Sequence, residues 1–324
     1  MIIFVTSAHH KYALDALRHM DGAPDIRILS YNRLFKLSRI PFATYIFTDF
    51  DRLNFWELEL AAKIFRLLEK ADCRVMNDPA CVPHRFPLLK RLHKLGHNTF
   101  GVWDASVDPL PDRYPIFLRT KAAHRGALSS LLKDDTEAEA ALENALAEGF
   151  NIHDLMFVEY CAESLEPGLF RKYSAYIVGR EVITGMCVHD GSWHAKYGSE
   201  GIATADHYQE EYKFVVENVF AEQMLPVFED ACISFGRADF AVVDNRVETY
   251  EINTNPYISP IFKHPFAIRL EADKLHYAKL ISGLSAIDSP AHSKAAMAKL
   301  KLDVPELIQQ RRLDRGVFGV RWTP

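Results

Sequence analysis

The stretch GRADFAVVDNRVETYEINTNP, residues 236–256, decides how this chain folds and where its chemistry sits. Asp239 heads an apolar run, 240–243, and Glu251 and Asn253 close a second run, 247–252, after a turn at Asp244, Asn245 and Arg246. Two β-rich runs around a short polar turn read as a hairpin. Glu251 and Asn253 alternate with Ile252, so both side chains face one side of their strand. Two carboxylates and an amide gathered at strand ends suit a hard divalent cation. Mg²⁺ is the natural occupant, since it takes one or two carboxylates and fills its other positions with water and substrate phosphates. A hairpin that simply turns its polar residues to solvent has the same spacing, so the rest of the chain must decide.

With 324 residues and 48% apolar composition, the chain is long enough for two or three lobes with a substantial core. A formal net charge of −5 gives no electrostatic case for nucleic acid or an anionic membrane as partner. The five cysteines, Cys73, Cys81, Cys161, Cys187 and Cys232, are scattered without paired short spacing, which argues against a disulfide framework or a zinc site and fits a reducing, cytoplasmic setting. The start, MIIFVTSAHH, lacks a basic leader and a small-residue cleavage site and reads as a first strand. No run approaches the roughly 18 apolar residues that span a bilayer.

Strands at 2–6, 26–30, 44–48 and 74–76 alternate with helical patterns at 12–20 and 55–71, which predicts a parallel α/β domain over residues 1–76. Ligands bind such sheets at their strand ends, so Ser7, His9, His10, Asp49 and Asp51 are substrate-site candidates. A connector, 77–112, carries a basic helix at 88–95. A strand at 115–118 then runs into Arg119, Thr120, Lys121, Ala122, Ala123, His124, Arg125 and Gly126, a cation-rich loop before a helix that suits phosphate. The strand 155–160 completes a small subdomain over 113–162, and a larger one with the metal site spans 163–285. Within it, 170–178 and 181–188 read as a hairpin, 190–207 as a loop near the site, and 211–228 as a helix. The tail, 286–324, reads as amphipathic, basic helix at 295–301 and 304–312, assigned to packing or oligomer contact.

The order of these pieces resembles the ATP-grasp superfamily over roughly residues 1–285, in a branch similar to the glutamate ligases of ribosomal protein and to glutathione synthetase. Asp239, then a hairpin, then Glu-Ile-Asn-Thr-Asn-Pro looks like the family's magnesium motif, and 157–162 (FVEYCA) is similar to its adenine-reading hinge. The resemblance implies an α/β fold with an amino-terminal parallel domain, a small α+β subdomain and a larger antiparallel-sheet subdomain. It implies that Asp239, Glu251 and Asn253 hold one or two Mg²⁺ ions, for which Mn²⁺ substitutes, against the phosphates of ATP. Glu159 would accept from the exocyclic amine of adenine, with backbone groups of Tyr160 and Ala162 completing that edge. Arg237 would stabilise a tetrahedral intermediate, Lys196 would reach the transferred phosphoryl group, and Arg171 or Lys172 would add to the same field, strand alternation letting one of them face inward.

The family usually places lysines where this chain has Arg85 and Arg119. Arginine keeps the charge and offers a fork to phosphate oxygens, with a different geometry. The loop 122–127 is also poorer in glycine than the family's. The reaction implied is ADP-forming ligation: a small-molecule or peptide carboxylate becomes an acyl phosphate, which an amine or another nucleophile attacks. A phosphotransferase of the same fold and an ATP-binding regulator without turnover are the alternatives.

Overall fold

The computed structural model describes residues 1–122, 126–196, 198–288 and 299–308. The phosphate-loop candidates Ala123, His124 and Arg125, and most of the expected tail helices, lie outside these. The chain forms two units, one of Met1–Val82, Thr254–Ser259 and Ile281–Pro324, the other of Pro83–Asn253 and Pro260–Leu280.

In the first unit, β1 (Ile2–Thr6), β2 (Ile26–Ser30), β4 (Thr44–Phe47) and β5 (Val75–Met76) form a parallel sheet in the order β2-β1-β4-β5. Every residue of β1 is buried, as the unbroken run IIFVT predicts for a strand covered on both faces. After the single-turn α1 (Tyr31–Leu34), helix α2 (Phe55–Lys70) packs Leu60, Ala61, Ile64, Phe65 and Leu68 inward, and Asn54 and Glu57 close a reciprocal capping box at its start. The helix expected at 12–20 is instead a 3₁₀ run, Ala8–His19, broken at His10 (φ −112°, ψ 16°). The tail also departs from expectation. Lys299–Lys301 is a strand, pairing antiparallel with β3 (Arg39–Pro41), and Leu302, Val304 and Leu307 are buried in this unit's core. Alternating Lys-Leu-Lys suits a strand edge as well as a helix face, and the free edge of β3 decides between them.

The second unit has two sheets. β6 (Val102–Asp104), β8 (Leu155–Glu159) and β7 (Ile116–Thr120) form an antiparallel sheet with β8 central. One face packs with α4 (Asp135–Ala147) around Ile116, Leu118 and Phe157, and the other meets α3 (Arg85–Lys94) through Leu89, Val102 and Val158. The larger sheet runs β11 (Glu181–Thr184), β10 (Leu169–Val178), β13 (Phe235–Val243), β14 (Arg246–Asn253), with β9 (Ser164–Glu166) and β12 (Val188–Asp190) also on β10. The turn joining β13 to β14 places Asp244 and Asn245 at φ 49° and 61°, the left-handed pair that a two-residue hairpin needs and that Asp and Asn tolerate. Helices α5 (Ala205–Glu217) and α6 (Ala221–Asp230) precede this hairpin in the chain and α7 (Ala267–Ile287) follows it. No helix among the described residues is long and apolar enough to cross a membrane.

Candidate active site

A pocket within the second unit is lined by β7, β8, β10, β13 and β14 and by the loop 191–203. Asp239 and Glu251 line it, set directly opposite each other by the β13–β14 register, which also places Arg237 opposite Asn253. A bulge next to Asp239 makes Tyr250 the extra residue on β14, so Tyr250 and Glu251, though adjacent, both reach the pocket.

Each carboxylate has two cations. Arg237 Nε donates to Asp239 Oδ1 at 2.8 Å, and Lys172 Nζ lies 3.1 Å from Oδ2. Glu251 pairs with Arg85, and Arg119 stands 3.9 Å from the same oxygen. Burial works against the Arg237 charge, but Asp239 and Tyr176 more than offset it and raise its pKa. Burial, reinforced by the charge of Arg85, pushes Arg119 down to about 10, with Glu251 opposing. Arg119 Nε is buried with no hydrogen-bond partner among the described residues. Four cations against two carboxylates leave two positive charges in excess.

Arg171 and Lys172 of β10 both line the pocket, though strand alternation predicts that one of them faces inward, and they take different partners. Lys172 turns to Asp239, whereas Arg171 donates from Nε to His189 Nε2 at 2.9 Å and pairs with Glu210 at 2.9 Å, on the α5 side. Lys121 is not brought to the pocket: its ammonium meets Asp104 at 2.6 Å and the His153 carbonyl at 2.8 Å. Lys196 lines the pocket from the loop 191–203.

At the hinge, Tyr160 and Ala162 line the apolar end with Val158 and Phe117. Glu159 Oε2 accepts from Gly101 N–H at 2.9 Å and pairs with Arg113 at 2.7 Å, so that oxygen is engaged with the neighbouring strand segment. Trp193 was not singled out by the sequence. Its ring stands 4.9 Å from Phe117 and 5.7 Å from Tyr160, closing an aromatic wall. An isolated tryptophan in a glycine- and serine-bearing loop was the only available signal.

Among the described residues, the one cysteine of the pocket, Cys161, is not an activated nucleophile. Burial pushes Cys161 up to about 11, helped by Glu248. Among the described residues no three His, Cys, Asp or Glu side chains converge as a metal cluster. Two opposed carboxylates with a cross-strand neighbour amide nevertheless fit Mg²⁺, which needs few protein ligands, all oxygen. In the other unit, Ser7, His10 and Asp49 come together, while His9 is exposed and Asp51 half-buried.

No protein-family model matches the chain, and no curated protein matches it in sequence. Solved structures do. The D-alanine–D-alanine ligase of Bacillus anthracis aligns over 97% of this chain and 99% of its own at 13% identity, with a TM-score of 0.50. The Coxiella burnetii D-alanine–D-alanine ligase aligns over 98% and 99% at 14% identity, also with a TM-score of 0.50. The fold is that of the ATP-grasp ligases. At this identity the likeness concerns architecture, and it covers the chain from the parallel sheet through the β13–β14 hairpin.

Proposed function

We propose that the chain is an ATP- and Mg²⁺-dependent ligase that joins a carboxylate to an amine or another nucleophile through an acyl phosphate, releasing ADP. The observation that carries this reading is the set of four cations around Asp239 and Glu251, two positive charges more than those carboxylates balance, beside a pocket with an apolar, aromatic wall. A purine fits the wall and a polyphosphate fits the cations; MgATP, with net charge about −2, balances their excess. The ligase names of the structural neighbours support the same reaction class.

Asp239, Glu251 and Asn253 would hold Mg²⁺, which when bound neutralises phosphate charge and polarises the phosphoryl oxygens. Arg85, Arg119 and Lys172 then act as counter-ions to phosphate oxygens, and the buried Arg119 Nε gains an acceptor. A substrate carboxylate oxygen attacks the γ-phosphorus, the bond to the ADP oxygen breaks, and Lys196 stabilises the phosphoryl in flight. The nucleophile then adds to the acyl carbon, phosphate departs, and Arg237 stabilises the oxyanion formed between those events. Trp193, Phe117 and Tyr160 exclude water around the base.

The test supplies the purified chain with ATP, Mg²⁺, a panel of carboxylic acids and hydroxylamine as trap. The expected result is hydroxamate and ADP in equal amounts, dependent on one acid class. A stable phosphorylated product would assign phosphotransfer instead, and ATP binding with no acid-dependent ADP release would leave a regulator.

A further inference from the structure

The bulge beside Asp239 takes Tyr250 out of the cross-strand pairing of β13 and β14, and the Tyr250 side chain serves the small sheet instead. It packs against the cluster of Leu89, Phe100, Val102 and Val158, its ring 6.1 Å from that of Phe100. Its hydroxyl donates to the Cys161 carbonyl at 2.5 Å, in the segment that follows β8. Burial holds the Tyr250 pKa well above the ordinary tyrosine value, so the phenol keeps the proton it donates. The strand leading into Tyr250 is itself fixed. Buried Asn98 bonds twice to the backbone of Thr249, Nδ2 donating to the carbonyl at 2.8 Å and Oδ1 accepting from the N–H at 2.9 Å. Thr99 donates from its N–H and its Oγ1, each at 2.8 Å, to the buried carboxylate of Glu248.

The hinge is tied at its other end as well. Glu159 N–H donates to the Gly101 carbonyl at 3.0 Å, and Tyr160 N–H to the Pro115 carbonyl at 2.9 Å. The Tyr160 carbonyl and the Ala162 N–H, by contrast, take no partner among the described residues, and both residues line the pocket. A carbonyl and an N–H two residues apart complement the N6 amine and the N1 acceptor of adenine. Guanine has O6 and N1–H at those positions, the opposite polarity. The Cys161–Ala162 peptide is trans, so its N–H runs antiparallel to its carbonyl and planarity ties the two together. A hydroxyl that holds the Cys161 carbonyl therefore holds the direction of the Ala162 N–H. Turning this peptide over exchanges that N–H for a carbonyl, an acceptor that suits guanine N1–H and repels adenine N1. A phenylalanine at position 250 supplies the same packing but no such hold.

We propose that Tyr250 is a positioning residue for choice of the nucleobase: its hydroxyl, by holding the Cys161 carbonyl, keeps the Ala162 N–H as the donor to the base and so selects adenine over guanine. The inference rests on the ATP reading above and concerns binding alone. The bulge gives it a further consequence. Tyr250 and Glu251 are successive residues that both reach the pocket, one acting on the base through the hinge and the other on the phosphates through the proposed metal.

Tyr250→Phe keeps the ring and removes the hydroxyl. The full chain and this variant are titrated, in the presence of Mg²⁺, with the β,γ-imido analogues of ATP and GTP and with tripolyphosphate, which has no base. The variant is expected to bind the ATP analogue about 10-fold more weakly and the other two ligands within about twofold of wild type, so that the preference for ATP over GTP falls about 10-fold, the effect of one hydrogen bond to the base. Tripolyphosphate reads the phosphate end of the pocket, and its retained affinity shows that the variant is folded. An unchanged ratio of the two nucleotide affinities overturns the inference, whatever happens to tripolyphosphate, as does a wild-type chain with no preference for the ATP analogue. A wild-type chain that binds neither nucleotide is a separate outcome, which removes the ATP reading and this inference with it.

Discussion

Strand β1 is buried from end to end, whereas β14 passes from buried at 247–249 to half-buried at 250–253. The first belongs to a parallel sheet covered on both faces, so its reactive groups appear only beyond the strand end, at Ser7 and His10. The second belongs to an antiparallel ladder with one open face, so Glu251 and Asn253 lie on it two residues apart, opposite Asp239 and Arg237. The ladder's register brings opposite charges together, and the strand end brings together only what its loop supplies. The ladder thus gathers several charges, and the strand end only the few polar groups of its loops.

The strongest challenge to this contrast is Glu251→Ala. It removes the proposed metal ligand and leaves Arg85 and Arg119 without the carboxylate between them. Acid-dependent ADP release falls by about 1,000-fold or more, the scale of losing a charged group that acts on the phosphoryl transition state. Titration with a non-hydrolysable ATP analogue loses its Mg²⁺-dependent part. Wild-type Mg²⁺ response in this variant would move the metal off the ladder.

Acid tests the ladder's support. His276 packs against Tyr176 of β10 at 4.8 Å, and burial lowers its pKa to about 4. His189 is lowered to about 3 by burial and by Arg171. Both are neutral in the folded chain, while the unfolded chain takes up protons below the ordinary histidine value of about 6.5. Stability is therefore full above about pH 6.5 and declines as pH falls toward the folded values, by up to about 1.4 kcal/mol per pH unit for each histidine. Denaturant midpoints measured between pH 7 and pH 5 read this slope, and His276→Leu removes its share. An unchanged slope in that variant would mean that His276 titrates freely.

Trp193→Ala opens the aromatic wall. The ATP analogue binds about 10-fold more weakly, the size of one lost aromatic contact pair. Quenching of tryptophan fluorescence by the analogue, absent from the variant, reports the same contact. Affinity within twofold of wild type would place the base elsewhere.

The ladder was legible because its functional residues repeat every second position and its Asp-Asn turn specifies the hairpin. The parallel strands were legible as unbroken apolar runs, but which of Ser7, His9, His10, Asp49 and Asp51 would converge depends on loop geometry at His10 and on the left-handed backbone at Asp49. Trp193 escaped notice because irregular loops carry no period. The tail strand at Lys299–Lys301 was hidden because its partner, Arg39–Pro41, lies more than 250 residues away in sequence and local pattern does not report that pairing.

The smallest expected effect separates placement from charge. Lys121 and Lys172 are both cations from strands or strand ends around the pocket, and only the second faces the ladder. The ammonium of Lys121 is consumed by Asp104 and lies over the Phe86 ring at 5.1 Å. Asp104 is correspondingly held at about 2, burial pushing it up and its bonds to Lys121 and Ser106 outweighing that. Lys121→Met should leave affinity for the ATP analogue within about twofold, because a cation already paired contributes little further field at a distance. Lys172→Met should weaken it about 10-fold, since Asp239 would lose a partner and the phosphates a counter-ion. Equal losses in the two variants would mean that the pocket recognises its ligand through total charge, and the registered face of β13 and β14 would then lose its special standing over the strand ends of the parallel sheet.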